Sequence, residues 1–423
     1  MLTVIQAIVS ILIVAQFIFE RILAKLNESK LLELKNNPPK ELHNLMSKEQ
    51  WERCTNYNLD KSKISFSEDF LTTILLLFFF IYFYPHFFNY FPLSSTSPVW
   101  LVSFWATLFL SIFQLPTLYY DWKRQFTLEE KYEFNTNSKK NWCIDKIKEL
   151  FLGLLLGWGV LVLVLSLYEW GVMSFPAGWW LVAFSAIFSV QILLLILWPK
   201  LILPLFNKLT PLEDDKLGSR LLALANKCGF EASTIEVIDG SKRSRHSNAF
   251  FTGFGKFRRI ILYDTLLKQM NHEQVEAVLA HEIGHYKLGH IPKRICVSFI
   301  SGLCFFAMLA FLCKTSWFYR QIGLDVMYDG DLMPVIVAFM LVGGSFTYWL
   351  NPITNYFSRK HEFEADAFAV CSVGNSKSLS SALRTLYVEN LNYPVPHSLV
   401  SFFHYTHPTL LERENAMSSV VKA

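Results

Sequence analysis

The chain has 423 residues, of which 52% are hydrophobic and 16% aromatic, while only 17% carry charge. Soluble domains usually carry about a quarter charged residues, so this is the composition of a membrane protein. The net charge of +4 is small and no basic, aromatic-interleaved patch occurs, which argues against nucleic acid as a partner.

The first apolar run, residues 2–19, has no basic flank before it and no small-residue cleavage site, so it reads as a retained anchor and not a secretory signal. From residue 70 to residue 120 there is no Asp, Glu, Lys or Arg. That window holds two spans of ~20 residues each, with a break at the PLSSTSP stretch, Pro92 to Pro98. Further charge-free runs at 151–168, 171–199, 295–313 and 332–358 bring the expected number of spans to seven.

The basic residues between spans set the orientation. Residues 26–68 and 120–149 carry seven Lys and Arg each, and residues 200–294 carry many more, whereas 92–98 and 169–178 carry none. The loop at 314–331 has only Lys314 and Arg320, against Asp325, Asp329 and Asp331. This alternation predicts a lumenal N-terminus and a cytosolic C-terminus. The expected organisation is therefore five spans with cytosolic loops over 1–199, a cytosolic segment at 200–294, two spans over 295–358 and a cytosolic segment at 359–423. The seven cysteines are odd in number, scattered and without a CxxC pair, so they read as free thiols.

The first cytosolic segment ends in VLAHEIGHYKLGH, residues 278–290. Asn271, with Gln274 three residues on, predicts a capped helix start, and Val275, Val278 and Leu279 continue at helical spacing. His281 and His285 then share one helix face, one turn apart, as two ligands of a tetrahedral zinc require. Glu282, beside the first, is placed to act as general base on the water at the metal. A helix with incidental histidines is the alternative, and a third ligand decides between them.

SRKHEFEADAFAV, residues 358–370, follows the last span with helical patterning. Glu362 completes a His2Glu set, and Asp366, one turn on, is placed to accept the free N–H of a ligating histidine. Glu362 is preferred to Glu364, which points off that face, and His361 is one residue away from it. His290 offers a longer HxxxxH pairing, but with three ligands in hand it reads as a polar histidine at a helix end by the membrane boundary.

HSNAFFTGFGKFRRIILYDT, residues 246–265, alternates as a strand, turns near Gly255 and Lys256, and returns as a second strand. Beside a metal site, its edge would suit an extended peptide, with Asn248 fixing the register; a scaffold hairpin is the equal alternative. In HYTHPTLLER, residues 404–413, His404, His407 and Arg413 are ordinary surface residues unless one of them stabilises an oxyanion.

HSNAFFTGF, AHEIGHYKLGH, SRKHEFEADAFAV and HYTHPTLLER, with NLDKSK and LFNKLTPL, stand in this order around seven spans. Together they resemble the CAAX prenyl protease 1 family of integral-membrane zinc metalloproteases, the Ste24 type. The match is closer than to the HtpX-type quality-control proteases, which share the zinc motifs but have fewer spans. The resemblance implies an all-α polytopic membrane protein, with seven transmembrane helices enclosing a chamber and a small cytosolic α+β zincin-like protease region. It also implies one zinc per chain, held by His281, His285 and Glu362, with Glu282 as catalytic base. Asn248, followed by Ala249 and Phe250, falls on the substrate-binding strand, and His407 and Arg413 flank the reacting carbonyl.

The expected activity is removal of the C-terminal tripeptide from prenylated CaaX proteins by a monomer in the bilayer of the endoplasmic reticulum and contiguous nuclear envelope. The alternatives are a general membrane-protein quality-control protease and, remotely, a transporter; a transporter would carry ionisable residues at mid-membrane depth, and these spans are almost charge-free. Departures from the family pattern cluster around the strand: Arg245 before His246, Thr252 before Gly253, and FGKFRR at 254–259. They bear on side-chain preference in the groove and not on the chemistry.

Overall fold

The computed structural model describes residues 2–36, 38–90, 97–230, 234–252, 259–324 and 330–420. Seven helices are long and apolar enough to cross a bilayer: Val4–Lys35, Lys48–Phe88, Val99–Glu129, Lys139–Ser174, Trp179–Phe206, His290–Cys313 and Leu332–Val373. Each touches the next in chain order and the seventh returns to the first, so they close a ring. Only 11–22% of the apolar window is buried in the first six, against 61% in the seventh, which packs on the third and fourth helices as well as on the first and sixth. Gln16, Glu20, Asp69 and Ser345 line a cavity of about 450 Å³ between the first, second, third and seventh helices. At the end remote from the strands, Phe80, Phe109, Trp179, Val335 and Val337 pack into one apolar cluster between the helices.

The helices outrun the apolar runs that mark them. The second begins at a capping box, Ser47 with Gln50, and at 41 residues is about 60 Å long, twice the ~30 Å of hydrocarbon. Its polar half therefore extends beyond the hydrocarbon and packs on the protease region. One boundary differs from expectation: residues 171–174 belong to the fourth helix, and the fifth starts only at Trp179. Gly171 permits this turn, because a Cβ there would stand 2.4 Å from that of Trp179. Of the break at Pro92–Pro98, residues 92–96 lie outside the described residues. All seven cysteines are free thiols.

The region outside the membrane helices is built on four short strands, β1 (Leu209–Pro211), β2 (Thr234–Ile238), β3 (Ala249–Thr252) and β4 (Arg259–Tyr263), in the order β1-β2-β4-β3. β2 and β4 run parallel and the outer pairs antiparallel. β4 is central and covered on both faces, which explains its uninterrupted Ile260, Ile261 and Leu262, each at most 1% exposed. β3 is an edge, paired through Ala249 to Leu262 and Thr252 to Arg259, with its other side open to a further strand among the described residues. The turn expected near Gly255 and Lys256 lies outside the described residues.

Two helices place the motifs. The motif helix, His272–Lys287, starts at Asn271, whose side chain accepts from the Gln274 backbone while the Gln274 side chain accepts in return. The Gln274 amide also donates to Ser381 and Thr385, tying the helix to Lys377–Glu389. The second helix, Asn351–Val373, continues from the seventh span through a single 3-10 turn at Tyr348–Leu350. The two pack closely at Gly284, where a Cβ would come within 3.1 Å of the Ala365 backbone.

Candidate metal centre and active-site cavity

His281 and His285 point from the motif helix toward Glu362 on its partner. Their Nε2 atoms stand 3.2 Å apart, His281 Nε2 lies 3.4 Å from Glu362 Oε2, and His285 Nε2 lies 3.2 Å from Glu362 Oε1. One ligand atom from each of the three lies within 4.8 Å of the others. The imidazole rings are nearly perpendicular, so their lone pairs converge and the rings do not stack.

The donor set fits a metal ion. Glu362 Oε2 is buried and finds no hydrogen bond, a cost of a few kcal/mol that an ion would remove. Burial pulls the His281 imidazole down, but the carboxylates of Asp366 and Glu362 beside it outweigh burial and raise the ring to about 9, so they favour a cation at this position. Two nitrogens and one carboxylate are the ligands of a catalytic zinc, which leaves one position open.

Asp366, 1% exposed, lies 2.9 Å from His281 Nδ1. Its two oxygens also accept from Arg413 at 2.6 and 2.8 Å. Arg413 is itself 6% exposed, and burial, which lowers its pKa, is outweighed by the Asp366 partner. The guanidinium pairs with Asp366 through Nε and one terminal nitrogen, and Arg413 also lines the cavity that Glu282 faces, where the resemblance places it. His407 differs: its side chain is 62% exposed, with Nε2 3.5 Å from Glu362 Oε1 and Nδ1 2.9 Å from the Thr406 hydroxyl. The surrounding cavity walls strip water from its imidazole and hold it below the usual range, with Glu362 opposing.

Glu282 faces the cavity, and its carboxylate makes no hydrogen bond among the described residues. Burial pushes its pKa up, opposed by His281 and His285, a shift toward the range useful for proton transfer near neutrality. The cavity, about 480 Å³, is lined by Glu282, His407, Arg413 and the start of the edge strand, Asn248 and Ala249. Phe250 does not line it. Phe250, together with Phe251, borders a separate apolar groove against Leu194, Leu195 and Trp198 of the fifth membrane helix. Of the three strand residues expected at the substrate, two reach the cavity.

Sequence reasoning missed the support behind that strand. His246 lies between Asn390 Oδ1 and Glu129 Oε2, at 3.0 and 3.1 Å, and stacks on Phe134. Asn390 Oδ1 also accepts from the Ser247 backbone. His290 stands, as expected, at a helix end by the membrane boundary, the first residue of the sixth membrane helix, but its contacts were not visible in the sequence: it is 1% exposed, with Nδ1 2.9 Å from His285 Nδ1 and Nε2 3.0 Å from Glu364. Gly289, at φ 68°, breaks the helical path and folds His290 back over His285. In an unbroken helix five residues would turn it to the far side. His404 pairs instead with Glu20 of the first membrane helix, at 3.2 Å.

Comparison with known proteins agrees with this geometry over the whole chain. Residues 211–421 match Peptidase family M48, and residues 28–208 match the CAAX prenyl protease N-terminal region of five membrane helices. CAAX prenyl protease 1 of Saccharomyces cerevisiae is 34% identical, covering 98% of this chain and 95% of its own. The chain belongs to the CAAX prenyl protease 1 family. The human CAAX prenyl protease 1 homolog is 31% identical over 96% of this chain and 93% of its own. The crystal structure of Ste24p from S. mikatae superposes with a TM-score of 0.87 at 35% identity, covering 98% of this chain and 99% of that one. As a CAAX prenyl protease 1 family member, the chain is an integral-membrane metalloendopeptidase.

Proposed function

We propose that this metalloendopeptidase holds one zinc ion at His281, His285 and Glu362 and removes the terminal tripeptide from prenylated CaaX proteins. The observation that carries the reading is the meeting of that donor set, Glu282 and an open strand edge on one cavity at the end of a membrane ring. The chemistry a zinc ion supplies to such a donor set is Lewis acidity toward water and the scissile carbonyl.

The chain's own residues do the rest. Glu282 takes the proton of the attacking water and returns it to the leaving amine. His407, exposed to the cavity beside Glu362, donates to the oxygen on which negative charge develops. The edge of β3 pairs with an extended substrate, Asn248 and Ala249 facing the cavity, and backbone pairing tolerates varied side chains in the two aliphatic positions. Asp366 and Arg413 act behind the ligands, holding His281 in one orientation.

A single prenyl chain anchors only marginally, so a lipidated tail can leave the bilayer and enter a cavity between helices. The working membrane in this reading is the endoplasmic reticulum and contiguous nuclear envelope. The protein acts there as a monomer, with the N-terminus lumenal and the C-terminus cytosolic. The test is release of the tripeptide from a farnesylated CaaX peptide by purified protein, followed by mass spectrometry. The unprenylated peptide is expected to be much poorer, and Asn248→Ala is expected to slow cleavage with zinc retained. An unlipidated membrane-protein fragment cut as well or better in the same detergent overturns this reading in favour of quality control.

A further inference from the structure

Behind His285 lies a chain of polar groups that the reaction above does not use. His285 Nδ1 is 2.9 Å from His290 Nδ1, and His290 Nε2 is 3.0 Å from Glu364 Oε2. His290 is 1% exposed, so water does not replace either partner.

Resting on the zinc reading above, we infer that His290, anchored by Glu364, is a positioning residue that fixes His285 in the tautomer whose Nε2 faces the metal. The proton arrangement is over-determined. With the Nε2 lone pair of His285 given to a metal, its Nδ1 carries the hydrogen. At 2.9 Å one nitrogen donates and the other accepts, so His290 Nδ1 is bare. A neutral His290 then carries its hydrogen on Nε2 and donates it to Glu364. A doubly protonated His290 would set two N–H groups against each other.

The two histidine ligands are therefore oriented differently. His281 meets a carboxylate, Asp366, at first hand, whereas His285 meets one only through a second ring.

His290, His361 and Glu364 also lie close enough together to suggest a second ion. His361 Nδ1, buried without a hydrogen bond, is the feature in that reading's favour. Ring geometry argues against it: His290 and His361 stack at 4.0 Å with planes 15° apart. Lone pairs lie in the ring planes, so those of stacked rings run side by side and do not converge on one ion.

The experiment uses the full chain in detergent, with zinc affinity measured by chelator competition and the visible absorption of the cobalt-substituted protein recorded alongside. His290→Phe and Glu364→Leu are expected to weaken zinc binding 10- to 100-fold and to shift the cobalt bands. His290→Asn, whose side-chain oxygen can accept from His285, is expected to restore most of the affinity. His361→Phe keeps the stack and should leave one zinc bound at unchanged affinity. A merely structural role would lower thermal stability without moving the cobalt bands. Unchanged zinc affinity and spectrum in both His290→Phe and Glu364→Leu overturn the inference while leaving the zinc reading intact. So does a second equivalent of zinc in the wild type that disappears in His361→Phe. A wild-type chain that binds no zinc overturns both.

Discussion

Replacing Gly284 by Ala puts one methyl group into the tightest contact between the motif helix and Asn351–Val373. The new Cβ would stand 3.1 Å from both Cα and O of Ala365, and 3.2 Å from Cβ of Phe368. Comfortable carbon contacts are ~3.5–4.0 Å, so the helices must part by ~0.4 Å or more, and the obstruction is mostly backbone that cannot rotate aside. Helix propensity favours Ala over Gly by about 1 kcal/mol, while overpacking costs about 1–3 kcal/mol, so the net change is a loss of up to about 2 kcal/mol.

The larger effect falls on the metal. Glu362 is one turn before Ala365 on the helix that has to move, whereas His281 and His285 ride on the other. Ligand distances tolerate about 0.2 Å, half the expected displacement. Gly284→Ala is therefore expected to weaken zinc binding about tenfold with every ligand present, read by chelator competition together with thermal unfolding with and without zinc. A variant that melts higher and binds zinc as tightly as the wild type would refute the reasoning, because propensity would then be acting unopposed.

Glu282→Gln should keep its zinc by metal analysis and lose turnover by ~10²- to 10⁴-fold; near-normal turnover sinks the general-base assignment. Arg413→Met strands the buried Asp366 carboxylate and should cost about 3–5 kcal/mol, with Asp366→Asn/Arg413→Met less damaging than the two single losses added; an additive cycle in thermal unfolding would deny the coupling. His246→Phe keeps the stack on Phe134 but drops the bonds to Glu129 and Asn390, loosening the start of β3 by about 1–3 kcal/mol. It should raise KM while kcat and bound zinc hold; a fall in kcat alone would place His246 elsewhere in the cycle. In sealed vesicles, a cleavable tag after Ala423 should be cut from the cytosolic side and one before Met1 should not, and the reverse pattern would invert the orientation.

Hydrophobicity marked all seven spans, because a bilayer demands charge-free runs of nearly fixed length. It could not show that the second helix runs back to Lys48, since a helix in water carries no such signal and is held by contacts distant in sequence. The same division holds at the cavity. His281, His285, Glu362 and Asp366 are spaced by single helical turns, a pattern visible in a string of letters. Glu129, His246 and Asn390 meet only because three separate segments fold together, and nothing local marks any of them. His290 was hidden by one residue: Gly289 takes a left-handed conformation, and helical counting beyond it fails.

The groups that converge on the cavity are spread widely along the chain, with the sixth and seventh spans between the histidine pair and Glu362, and Arg413 further on still. During synthesis, at 5–20 residues per second, the ribosome needs on the order of ten seconds to travel from His285 to Arg413. Throughout that interval the emerging protein owns two imidazoles and a base but no complete nest for an ion. If these residues hold the ion as proposed, hydrolytic capacity arrives only as the seventh membrane helix, which carries Glu362, is completed.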